Sequence, residues 1–304
     1  MIGAVLLAAF AGICNSMQGP TNTALSRTAG RAQATFVSFA GGTILLGVMV
    51  LFFGQGDLTA VARVPWWQCI TGLYGFLVIV SVVYSTPRLG IALTLMVLMF
   101  GKLTMGACID AFGLITGNPV PVSGQRVLGL ALVAVGIILV SIGRMRYAAS
   151  TGSQQPQGNT GSVLAFLLVA IAGCGNAIQA PTLAALSSAT GSMEASLVNF
   201  IGGLLLATAY VLISQRGKLQ SMKGSKPWQY LGGMYGTIIV LIVIAVTPVL
   251  GVGLLVACQM LGQLTGGMVI DARGWLGCNR IPVNAWRVTG VLFVAAGVFT
   301  IALC

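Results

Sequence analysis

Long apolar blocks separated by short polar segments run the length of the chain, and within each block the hydrophobic positions are continuous. Blocks of about 20 residues match what a helix needs to cross a hydrocarbon core. With no water there to satisfy backbone groups, only helices or closed barrels span a membrane, and barrel strands would alternate polar with apolar. The pattern therefore predicts an all-α integral membrane protein of ten transmembrane helices. Their expected spans are 2–24, 33–53, 67–86, 90–110 and 124–143, then 163–186, 194–214, 228–247, 251–271 and 285–304. Residues 147–161, rich in Gly, Ser, Gln and Thr, read as a flexible linker between a first unit, 1–146, and a second, 162–304. The first block follows Met1 without a charged lead-in or a small-residue cleavage site, so it is expected to stay as a membrane helix.

Sliding the chain by 161 residues lays one unit on the other without a gap. Gly12, Asn15, Gln18, Pro20 and Thr21 fall on Gly173, Asn176, Gln179, Pro181 and Thr182. Further along, Trp67 and Tyr74 fall on Trp228 and Tyr235, Asp110 on Asp271, and Arg126 on Arg287. A shared taste for Leu and Val would not align prolines, aspartates and tryptophans, so the chain is a duplication.

Charge then orients it. With the N-terminus outside, all of the 15 basic residues except Arg63, Arg126 and Lys102 lie on cytoplasmic segments, where Lys and Arg concentrate. Both termini are thus expected outside. Five helices per unit and a linker without a span of its own require the second unit to be inverted. Inverted-topology repeats are the plan of many secondary transporters, with substrate between the halves near mid-membrane.

Composition removes other classes. Only 6% of residues are charged, against about 25% in soluble domains, and mean hydropathy is +0.98. The net charge of +11 is spread between apolar blocks with no dense basic run, so nucleic acid is not expected as a partner. There is no histidine, and the seven cysteines form no CxxC pair. Zinc sites and Ser-His triads lose their usual members, and neither an enzyme nor a cofactor is expected.

Lys102 is the most informative residue. It lies near the centre of its span, where a lysine costs about 2.5–3.5 kcal/mol to insert. It is a candidate counter-charge for an anionic substrate, a coupling group, or a structural donor in the place its repeat fills with Gln263. Asn15 with Gln18, and Asn176 with Gln179, stand three apart on one helix face. They suit either a substrate or an interhelical hydrogen bond. Tyr74 and Tyr235, one turn or more inside the interfacial tryptophans, either line a cavity or pack in the core. Asp110 and Asp271 are the only repeated carboxylates. They are candidates for coupling or for structural ion pairs with Arg126 and Arg287. Gly101, Gly106, Gly262, Gly266 and Gly267 suggest close helix crossings. Helices one to four of each unit are expected to line the cavity and the fifth helices to stand aside.

The motifs G-x-x-N-x-x-Q-x-P-T-x-x-A-L-S from Gly12 and Gly173, F-x-G-G from Phe39 and Phe200, G-x-Y-G from Gly72 and Gly233, and T-P-x-L-G from Thr86 and Thr247 recur in both units, as does I-D-A-x-G closing each fourth helix. This set resembles the YdcZ family of the drug/metabolite transporter superfamily in its ten-helix fused form. The resemblance implies a bacterial inner-membrane protein that exports a small metabolite or toxic organic compound by alternating access. It implies a small-molecule substrate, with a proton as candidate coupling ion, and a monomer or homodimer in the bilayer. Gly101-Lys102-Leu103 departs from the family's usual G-Q-L, which Gly262-Gln263-Leu264 keeps. A passive channel and a membrane scaffold are the remaining alternatives.

Overall fold

A computed structural model describes residues 1–89, 91–115, 119, 121–150, 161–215, 222, 224–278 and 280–303. The α-helices are α1 (Ile2–Ala29), α2 (Arg31–Phe53), α3 (Trp66–Cys69), α4 (Thr71–Leu89), α5 (Ile91–Phe112), α6 (Gly124–Ser150), α7 (Gly161–Thr190), α8 (Ser192–Gln215), α9 (Gly232–Arg273) and α10 (Ala285–Ala302). No strand occurs among the described residues.

The first helix of each unit is longer than its apolar block. α1 and α7 run through Pro20 and Pro181 and stop at Gly30 and Gly191. Their polar last turns carry hydroxyls that fold back on the helix: Ser26 donates to Thr23 O and Ser187 to Ala184 O. Gly30, at φ 77 and ψ 159, then turns the chain from α1 into α2 with a single residue. That conformation is essentially closed to other residue types.

Eight helices among the described residues are long and apolar enough to cross a membrane. Ten separate spans were expected, and two elements account for the difference. α9 has 42 residues, or about 63 Å at about 1.5 Å per residue, roughly twice a hydrocarbon core of about 30 Å. It is broken at Gly251 (φ 70, ψ 173) into two arms. α4 runs 19 residues, Thr71–Leu89, of which Thr71–Val82 is the apolar stretch among the described residues. At the expected linker, residues 147–150 continue α6, and the Tyr147 hydroxyl donates to Arg280 O at 3.1 Å. The rest of the linker, 151–160, lies outside the described residues, as do Arg216, Lys218 and Lys223.

The helices pack mainly across the two units rather than within them. α1 lies along α9, α7 on α4 and α5, α2 on α8, and α6 on α10. Glycines make these approaches possible. A Cβ on Gly12 would come 2.0 Å from Gln259 O, and one on Gly262 would come 1.8 Å from Ala9 O. Between α6 and α10, Gly129 meets Gly297 and Gly136 meets Gly290, so these helices run antiparallel. α2 and α8 also cross antiparallel. Phe39 and Phe200 meet edge to face at 5.9 Å, each ring seated over the other helix's glycine, Gly203 or Gly42. Under the 161-residue shift the α2–α8 and α6–α10 crossings each map onto themselves, and the packing of α1 on α9 maps onto that of α7 on α4 and α5. Gly267 makes no such crossing, since a Cβ there would meet nothing within 4 Å.

Candidate functional site

A cavity of about 310 Å³ lies between the units. Its walls come from α1, α2, α4, α5, α7, α8 and both arms of α9, and among the described residues none in the lining belongs to α6 or α10. Six of the residues singled out from the sequence line it together: Asn15, Gln18, Lys102, Asn176, Gln179 and Gln263.

Lys102 and Gln263, which the repeat aligns, do not touch each other. The Lys102 ammonium donates to Gln259 Oε1 at 2.6 Å, while Asn15 Nδ2 reaches Gln263 Oε1 at 3.5 Å. Gln259 stands one turn before Gln263 on the same face of α9. Its counterpart in the first unit is Leu98, so the repeat gave no hint of it; its amide within an apolar helix was the available signal. Gln18 and Gln179 also brace the opposite unit. Gln18 Nε2 donates to Gly232 O and Gln179 Nε2 to Thr71 O, each at 3.2 Å, and these acceptors are again mates under the shift. Gln179 further donates to Asn199 Oδ1 at 2.9 Å and accepts from Asn176 at 3.3 Å.

Tyr74 and Tyr235 do not line the cavity; their neighbours Gly75 and Gly236 do. One residue along a helix is a rotation of about 100°. That turns Tyr74 away from the opening toward α7, where a Cβ on Gly175 would come 3.1 Å from its ring.

The four conserved-by-repeat ionic residues are also outside the lining. Asp110 pairs with Arg126 and accepts the amides of Val252 and Gly253 at 2.8 and 2.7 Å. It thereby caps the second arm of α9, whose first amides have no partner within the helix. Asp271 pairs with Arg287 at 2.6 Å and Arg144 at 3.0 Å. Each carboxylate thus ties helix four to helix five of its own unit.

The two ends of the cavity differ. Toward the α1–α2 corner it extends past Asn22 and Ser26 to Arg31, and Thr23 and Arg31 are exposed there. The matching end of the second unit is shut by Leu183, Leu186, Ala195 and Ile244 with Val64, Val198 and Val240. Leu183 takes the place of Asn22, and Val64 that of Ser225. Polar ties reinforce the closed end. Buried Glu194 accepts Gly56 N–H at 2.9 Å, and Asp57 N–H donates to Thr190 O at 3.0 Å.

A family profile described as "Putative inner membrane exporter, YdcZ" matches the chain twice, over residues 3–139 and 164–300. No curated protein matches. Among solved structures, one titled "Crystal structure of protein" superimposes with a TM-score of 0.70 over 100% of this chain and 97% of its own, at 14% identity. At that identity the likeness shows the fold alone.

Proposed function

Because the chain belongs to the YdcZ family of inner-membrane exporters, we propose that it carries a small organic molecule out of the cell by alternating access at the shared cavity. The family is one of transporters, not enzymes, and the chain is a multi-pass inner-membrane protein. The observation that carries the reading is a cavity built by both units, open at one end and sealed at the other. A rocking motion that closed the α1–α2 end and opened the Leu183 end would deliver cargo across.

In this reading residues 1–146 and 162–304 are inverted five-helix repeats, ten spans in all, joined by a cytoplasmic linker at 147–161, with both termini external. The antiparallel crossings of α2 with α8 and of α6 with α10 support the inversion. The wealth of Lys and Arg on one side supports the orientation. The open end, with Arg27 and Arg31, then faces the cytoplasm, and the cavity is poised to load from inside. Asp110 and Asp271 serve as structural ties rather than coupling groups in this scheme, since their charges are spent on arginines and helix amides.

Counterflow in proteoliposomes tests it. Purified protein is reconstituted and screened with radiolabelled small organic acids, amines and neutral compounds. Uptake accelerated by the same compound on the far side is expected for at least one of them. Flux without such acceleration would mark a channel, and no flux of any compound would leave a scaffold role.

A further inference from the structure

Within the transport reading of this cavity, we infer that the cargo is a small organic anion and that Lys102 is its counter-charge. Among the described residues, the charged ones lining the cavity are Lys102 and Arg31, both cationic. The chain has four acidic residues, and every one is accounted for elsewhere. Asp110 and Asp271 are held by arginines, Glu194 sits on Gly56 at the closed end, and Asp57 caps a surface turn through Thr59. Among the described residues no carboxylate pairs with Lys102; its partner is the neutral amide oxygen of Gln259.

An ammonium has three N–H donors, and Gln259 takes one. A charge at mid-membrane is costly without partners, and the hydrogen bond that holds Lys102 is to an amide rather than a carboxylate. Around it, Asn15, Gln259 and Gln263 supply amide N–H donors, while Leu98, Met99 and Val256 supply an apolar wall. The combination suits a carboxylate on a small apolar body. The volume, about 310 Å³, sits at the low end of small-molecule pockets, about 300–1,000 Å³. Arg31, exposed at the open end, adds attraction for an arriving anion.

The scaffold itself does not require the charge. The second unit builds the equivalent position from Gln263, so Lys102→Gln copies a residue that the fold already accommodates.

The test is binding to purified detergent-solubilised protein, followed by isothermal calorimetry and thermal shift. The probes are benzoate and hexanoate, their neutral amides, and the matched amines benzylamine and hexylamine. At least one carboxylate is expected to bind wild type and Lys102→Arg while its amide and amine do not. Lys102→Gln should weaken that carboxylate on the order of tenfold to a hundredfold with its ligand-free melting temperature unchanged. Equal binding of amides or amines, undiminished carboxylate binding to Lys102→Gln, or no carboxylate binding to wild type would each overturn the inference. The same probes in counterflow separate it from the transport reading. A carboxylate that binds through Lys102 but is never exchanged contradicts transport alone. An amine that is exchanged while carboxylates neither bind nor move contradicts the anion alone.

Discussion

At the scale of single residues, similar polar groups in apolar helices have divided into two kinds of work. Asp110 and Lys102 are both ionisable and both inside the bundle, yet only one has its charge answered. Asp110 is 2% exposed and holds Arg126 and two helix amides. Removing one member of a buried pair strands the other, at about 3–5 kcal/mol. Asp110→Asn should therefore lower the thermal midpoint sharply, and Asp110→Asn combined with Arg126→Gln should recover part of the loss. A double variant no better than the single one would contradict the pair. The sequence made the aspartates and arginines visible because the repeat aligned them. It left Gln259 unmarked, because its counterpart is Leu98. Tyr74 and Tyr235, which the sequence left between cavity and core, stand outside the lining for a geometric reason: the repeat aligns residues, but only the helix rotation decides which of two neighbours faces the opening.

Elements follow the apolar blocks closely and depart from them where local chemistry intervenes. α1 and α7 run beyond the expected ends through polar turns whose hydroxyls bond back to their own helix. At Gly251 the chain leaves helical geometry between two expected spans, so that α9 is two arms. Gly251→Ala would force a side chain into a backbone region closed to it, at about 1–3 kcal/mol, and push its Cβ to 3.2 Å from Asp110 Oδ2. A lowered melting midpoint is expected; an unchanged one would show that the turn is not fixed as seen. Crossings offer a sharper contrast. A Cβ on Gly262 meets backbone at 1.8 Å, whereas one on Gly267 meets nothing within 4 Å. Gly262→Ala should spoil folding, read as loss of monodisperse protein on size exclusion, while Gly267→Ala should purify like wild type. From sequence alone the two glycines looked alike, because which face of a helix meets a neighbour is set by the tertiary crossing.

For the whole molecule, the duplication, the charge bias and the family likeness were all legible in the chain. The intertwining was not. Each unit's first helix packs against the fourth helix of the other, an arrangement that no pattern within one unit specifies. Separately expressed 1–146 and 162–304 are accordingly expected to be unstable alone and to assemble when co-expressed, as judged by co-purification; a well-folded isolated unit would contradict it. Nor did symmetry in sequence reveal the asymmetry in shape, although Asn22 against Leu183 marks it in one pair of residues. The most direct measurement uses that pair. In protein whose seven cysteines have been replaced, Asn22→Cys and Leu183→Cys are probed with a membrane-impermeant maleimide applied to each side of sealed vesicles. Alternating access between opposed halves predicts that Asn22→Cys reacts only from the cytoplasmic side and Leu183→Cys only from outside, with labelling at one position suppressing labelling at the other. Reaction of both from the same side, or of both at once in one molecule, would contradict it.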